Sequence, residues 1–230
     1  MPSSCRGTEQ DADMDGSGKL TAAPAAISRQ ATILDLCERG FVLALFLRFA
    51  WAMLFSQVHD LHLLNVLLVI SEAIPIVFIL LRARSETLSR RPTDWLFGFL
   101  GSALPPMVRP VVATPLAPAS VCFVIMVAGT FLQLAAKIVL GRRFGVVAAN
   151  RGVVTLGPYR FIRHPMYLGY TITHVGFLLS MPSLTTLLIY VATLTVQVIR
   201  ILREEAVLMR DEAYRAFAAR VRHRLLPGVF

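Results

Sequence analysis

The sequence predicts an all-α fold: a polytopic membrane bundle of about six spans, followed by a C-terminal segment that carries polar chemistry. Three observations predict it. Of 230 residues, 56% are hydrophobic and only 16% are charged. Mean hydropathy is +0.64, well above what a soluble domain of this size carries. The apolar residues also fall into six runs, each near the ~20 residues that cross ~30 Å of hydrocarbon. Backbone groups find no water in lipid, so these runs should be helices.

The runs are residues 36–56, 61–81, 95–112, 119–140, 166–181 and 184–202. Arg48 and Glu72 interrupt the first two. They are displaced by similar lengths from His59, so two antiparallel helices would bring them to similar depth as an intramembrane ion pair that fixes register. Pro105, Pro106 and Pro110 cluster near the end of the third run and blur its boundary. In the fifth, Gly169, Thr173 and Gly176 follow i, i+4, i+7 spacing and make a small-residue face suited to close helix contact.

Charge separates the connections. Arg82, Arg84, Arg90 and Arg91 lie in one; Arg142, Arg143, Arg151, Arg160 and Arg163 in another; Arg210, Arg215, Arg220, Arg222 and Arg224 in the tail. The alternate connections, 57–60 and 181–183, have neither Lys nor Arg; Arg109, in the Pro-rich connection after the third run, is the exception. Both termini are therefore expected in the cytoplasm. The net charge of +9 reads as this loop bias and not as a nucleic-acid surface. Cys5, Cys37 and Cys122 are scattered, with no CxxC pair, so neither a disulfide framework nor a metal site is expected.

Residues 1–32 read as a flexible cytoplasmic tail, acidic and rich in Gly and Ser, and residues 33–230 as the membrane domain. Within the tail, Asp13, Asp15, Ser17 and Gly18 have the spacing of a calcium loop. Pro24, however, stands where a bidentate Glu is needed.

The chemistry gathers in two blocks. Gly157 to Gly169 places Arg160, Arg163, His164, Tyr159 and Tyr167 just where the fifth run begins. Arg200, Arg203, Glu204 and Glu205 sit where the sixth ends. A helical hairpin between them would put both blocks on one side of the membrane, as one site. Arg and His donors suit a carboxylate, a Glu suits an ammonium, and aromatic faces suit a cation, so such a site can hold a zwitterion. Each residue also has a plain role. The Arg side chains could rest on lipid headgroups, Pro165 fits a first helical turn, and Arg200 with Glu204 could be an i, i+4 pair. There is no GxGxxG, Walker loop or HExxH.

Together the blocks resemble the isoprenylcysteine carboxyl methyltransferase family and the related phospholipid methyltransferases. The signature Gly-x-Tyr-x-x-x-Arg-His-Pro-x-Tyr-x-Gly is met by Gly157, Tyr159, Arg163, His164, Pro165, Tyr167 and Gly169. Glu-Glu-x-x-Leu followed by Tyr is met by Glu204, Glu205, Leu208 and Tyr214. The resemblance covers residues 140–230, the expected catalytic part. Phe217 stands where a second Tyr is common, and the loop between Gly145 and Gly152 is short.

The resemblance implies a membrane methyltransferase that uses S-adenosyl-L-methionine. It implies that Arg151, Gly152, Val153, Val154, Tyr159, His164, Pro165, Met166, Tyr167 and Glu205 bind the cofactor, and that Arg163, Arg200 and Glu204 serve catalysis. No metal is implied. The partners are the bilayer and a lipidic or prenylated acceptor, with no nucleic acid. Methyl transfer needs nucleophile and methyl held in line at ~3–3.5 Å. A carboxylate acceptor needs no base and would be oriented by Arg200. A phospholipid amine would need one, Glu204 or Glu205. A sterol-reductase-like oxidoreductase and a non-enzymatic adaptor remain as alternatives. Small size and the compact loop point to a bacterial inner membrane in preference to the endoplasmic reticulum.

Overall fold

A computed structural model describes residues 29–55, 62–81, 91–109, 111–147, 152–226 and 228. Most of the expected tail, the connection at 57–60 and Arg151 lie outside them. Among the described residues every regular element is helical. The α-helices are α1 (Arg29–Leu54), α2 (His62–Leu81), α3 (Pro92–Ala103), α4 (Ala119–Leu140), α5 (Pro165–Ser180), α6 (Leu184–Leu208) and α7 (Glu212–Arg220). Helix α1 begins at Arg29, inside the segment read as tail.

Among the described residues, two stretches are long and apolar enough to cross a membrane: Ala119–Arg143, containing α4, and α6. Their outer faces are apolar and bare. Phe123, Val124, Phe131 and Ile138 on α4 are exposed, as are Leu188 and Val191 on α6. Polar side chains turn inward instead: Thr130, Gln133, Lys137, Thr193 and Gln197 are buried. An apolar exterior around a polar-flecked interior is what a lipid solvent selects.

The third expected span, 95–112, is not one helix. Helix α3 stops at Ala103, and a 3-10 turn, Pro105–Met107, follows. At 1.5 Å per residue α3 is only about 18 Å long. Pro105 and Pro106 lack the N–H that would continue the ladder. The chain still reaches the far end of the bundle, where Leu116 N donates to Leu179 O at 2.8 Å, beside the end of α5. The break explains a second departure. Arg48 does not pair with Glu72; its Nη2 donates to Pro106 O at 3.2 Å, one of the carbonyls released there. Glu72 instead accepts from Lys137 Nζ on α4 at 2.6 Å, and the Lys137 side chain is fully buried. Equal depth constrained which residues could meet but not the rotation of each helix about its axis.

The small face on α5 packs as expected. A Cβ on Gly169 would lie 2.6 Å from Gln133 N, and one on Gly129 would lie 2.5 Å from Thr173 Oγ1. Helices α4 and α5 therefore touch backbone to backbone, which small residues permit. At the turn 181–183 the chain reverses into α6. His174 of α5 stacks on Tyr190 of α6, ring centroids 4.2 Å apart. This hairpin returns the end of α6 to the beginning of α5.

Candidate functional site

Helix α5 opens with Pro165 in its first turn, where no N–H is needed. The preceding residues are fixed from outside the helix. Arg163 N and His164 N donate to His223 O and Arg224 O, both at 2.9 Å, and Arg163 Nη2 donates to Arg222 O at 2.9 Å. The C-terminal stretch is thereby clipped along the loop. Between α6 and that stretch lies α7, capped by Asp211 Oδ1 accepting from Ala213 N at 2.8 Å. Its Tyr214 and Phe217 are buried with Val221 and pack against Val153 and Leu208.

Glu205 joins these parts. Its carboxylate receives Arg163 Nη1 at 2.8 Å, Arg224 Nε at 2.7 Å and His164 Nε2 at 3.3 Å. The Arg163 and Glu205 side chains are 8% and 5% exposed. Three basic groups from two other segments thus converge on one carboxylate in the last turn of α6.

Beside this hub is a cleft, open on one side to solvent. Of the residues expected at the site, Gly152, Val153, Val154, Tyr159, Arg163, His164, Met166, Tyr167 and Glu204 line it. Glu205 and Pro165 are buried outside its lining, as backing. Arg200 is also set back. Its guanidinium lies over the Tyr167 ring, 5.4 Å from the centroid, and its Nη2 donates to Val146 O at 3.0 Å. Arg200 and Glu204 do not form a plain helix pair; both turn to Tyr167, whose hydroxyl is 3.5 Å from Glu204 Oε2.

The remaining wall comes from residues the motifs did not single out, chiefly Arg143 to Val147 with Leu140. Gly152 takes φ +88°, a left-handed conformation open to glycine, and a Cβ there would approach Arg143 Nε at 3.4 Å. Burial, with Glu204 and Tyr167 nearby, pushes the Tyr159 hydroxyl well above its ordinary range. Burial and the Glu205 and Glu204 charges do the same for Tyr214. Both hydroxyls remain protonated at neutral pH.

The lining sets two guanidinium groups, Arg143 and Arg163, and one carboxylate, Glu204, among aromatic rings. Arg163 Nε is buried in this wall with no hydrogen-bond partner among the described residues. A buried unpaired donor is costly and calls for an acceptor. No cluster of His, Cys, Asp or Glu suited to a metal occurs among the described residues.

The described residues form a helical protein with two stretches long and apolar enough to cross a membrane and a cleft lined by polar and aromatic residues. Residues 117–215, from just before α4 into α7, match the phospholipid methyltransferase family, which lies within the group of membrane methyltransferases that resemble isoprenylcysteine carboxyl methyltransferase. The match bears out the resemblance carried by the two motif blocks, and it implies a membrane methyltransferase. No curated protein matches the chain.

Proposed function

We propose that the protein is an S-adenosyl-L-methionine-dependent methyltransferase whose acceptor is lipidic and reaches the cleft from the bilayer. The observation that carries this reading is the cleft itself, which sets Arg143, Arg163 and Glu204 among the aromatic rings of Tyr159, Tyr167 and Tyr214. The donor set fits the cofactor. An Arg such as Arg163 suits the methionyl carboxylate, Glu204 the ammonium or a ribose hydroxyl, and the aromatic and Val side chains the adenine. When bound, the cofactor supplies an electrophilic methyl on a positively charged sulfur. The chain's own residues bind, orient and exclude water. Tyr159 and Tyr214 stay neutral, so they present O–H donors and ring faces without competing as nucleophiles.

A carboxylate acceptor is the first reading. Arg200 lies one aromatic ring from the cleft and spends one N–H on Val146 O. A guanidinium has five N–H groups, so others are left for the acceptor. Amine methylation is the second reading, favoured by Glu204. It lines the cleft, and the hydrogen bond it receives from Tyr167, at 3.5 Å, is long. Such a carboxylate can take a proton from an ammonium.

Mass spectrometry of lipid extracts from cells with and without the protein tests both. One lipid class gaining a single methyl is expected. Loss of that methyl under mild alkali identifies an ester, and its persistence identifies an amine. Extracts that do not differ would reject a lipid acceptor.

A further inference from the structure

The stretch from Phe144 to Val147 lines the cleft but belongs to neither motif block and to no helix. Its peptide groups still need partners. They find them on two helices. Glu38 of α1 is fully buried, and its Oε1 accepts from Val146 N at 2.7 Å and Val147 N at 3.2 Å. From α6, Arg200 Nη2 donates to Val146 O at 3.0 Å. One peptide unit, the bond joining Val146 to Val147, is therefore gripped by its N–H from an anion and by its C=O from a cation. Helix α3 closes the remaining side: a Cβ on Gly98 would lie 3.0 Å from Val146 O.

A carboxylate is an expensive way to tie a loop to an apolar helix, since it must be desolvated. A hydrophobic contact would hold the loop near α1 without fixing the orientation of its peptides. Two charge-assisted bonds to one oxygen fix that orientation, and with it the side chains on either side of the bond. We infer that Glu38 is a positioning residue that presets this cleft wall, so that cofactor affinity depends on α1, a helix outside the segment that matches the family. The inference rests on the cofactor reading of the cleft proposed above.

Two readouts test it in the full-length protein in detergent. One is hydrogen exchange at the Val146 and Val147 amides; the other is calorimetric affinity for S-adenosylhomocysteine. Glu38→Ala should speed exchange at both amides and raise the dissociation constant, each by about tenfold or more, because both charge-assisted bonds are lost. Glu38→Gln keeps an oxygen in place without the charge and should show about threefold effects. Asp35→Ala, one turn earlier on α1, should leave both readouts unchanged. A folded Glu38→Ala protein with wild-type exchange and affinity overturns the inference. If Glu38→Ala does not fold, Glu38→Gln decides, and wild-type exchange at Val146 and Val147 overturns it. Should the wild-type protein bind no S-adenosylhomocysteine, the cofactor reading falls, and exchange at the two amides still decides whether Glu38 holds the wall.

Discussion

Glu205→Ala is expected to abolish cofactor binding and to lower the stability of the purified protein more than any other single change at the cleft. The carboxylate sits under Arg163, His164 and Arg224 and is nearly closed to solvent. Its removal leaves Arg163 buried with no carboxylate beside it. Deleting one partner of a buried pair costs about 3–5 kcal/mol, because the remaining charge is uncompensated. The share from Arg224 is smaller, since that side chain is 36% exposed and water can replace its partner. Three segments lose their common anchor at once: the end of α6, the loop before α5 and the C-terminal stretch. Thermal unfolding in detergent, paired with calorimetry against S-adenosylhomocysteine, measures both effects. Glu205→Gln keeps the shape without the charge and should fall between wild type and Ala. A Glu205→Ala protein with unchanged midpoint and affinity would show that the hub holds nothing together.

Arg200→Ala carries the second largest effect, and the structure makes it twofold. Loss of the bond to Val146 O loosens the cleft wall and should raise the KM for the cofactor. Loss of the guanidinium beside Tyr167 should lower turnover at saturating cofactor by tenfold or more, equivalent to at least about 1.4 kcal/mol. Arg200→Lys separates the two. An ammonium can reach one carbonyl, so cofactor KM should recover. It cannot replace a planar fork on a carboxylate acceptor, so turnover should stay low. Steady-state kinetics against each substrate distinguishes these outcomes. If Lys restores turnover fully, a point charge suffices, and the amine reading through Glu204 takes first place.

The hairpin of α5 and α6 could be read from the sequence because each of its parts has a local cause. Pro165 sets the first turn, the small face made by Gly169, Thr173 and Gly176 sets the contact with α4, and the turn at 181–183 reverses the chain. Once the hairpin forms, Arg163 and His164 must meet the end of α6, and Glu205 is there to receive them. The broken third span was harder. Its composition is apolar throughout, and only the backbone chemistry of Pro105 and Pro106 stops the helix. The partner of Glu72 was missed because depth in a membrane says nothing of azimuth. Lys137, a charge within a strongly apolar run, was the available signal. Glu38 gave the same kind of signal, but its partners are backbone amides more than a hundred residues away. A local cap such as Asp211 can be read from the sequence, but no side-chain pattern encodes a bond to a peptide group so distant along the chain. The wall from Phe144 to Val147 escaped for the same reason, since it offers apolar side chains and backbone where a motif would need conspicuous residues.

The cleft between the loop before α5, the end of α6 and α7 is expected to hold S-adenosyl-L-methionine. Equilibrium binding of radiolabelled cofactor to the purified protein, with S-adenosylhomocysteine and NADPH as competitors, tests it most directly. Saturable binding near one cofactor per chain is predicted, displaced by S-adenosylhomocysteine, untouched by NADPH and lost in Glu205→Ala. A folded wild-type protein that binds no S-adenosyl-L-methionine, or that binds NADPH in its place, would contradict the account.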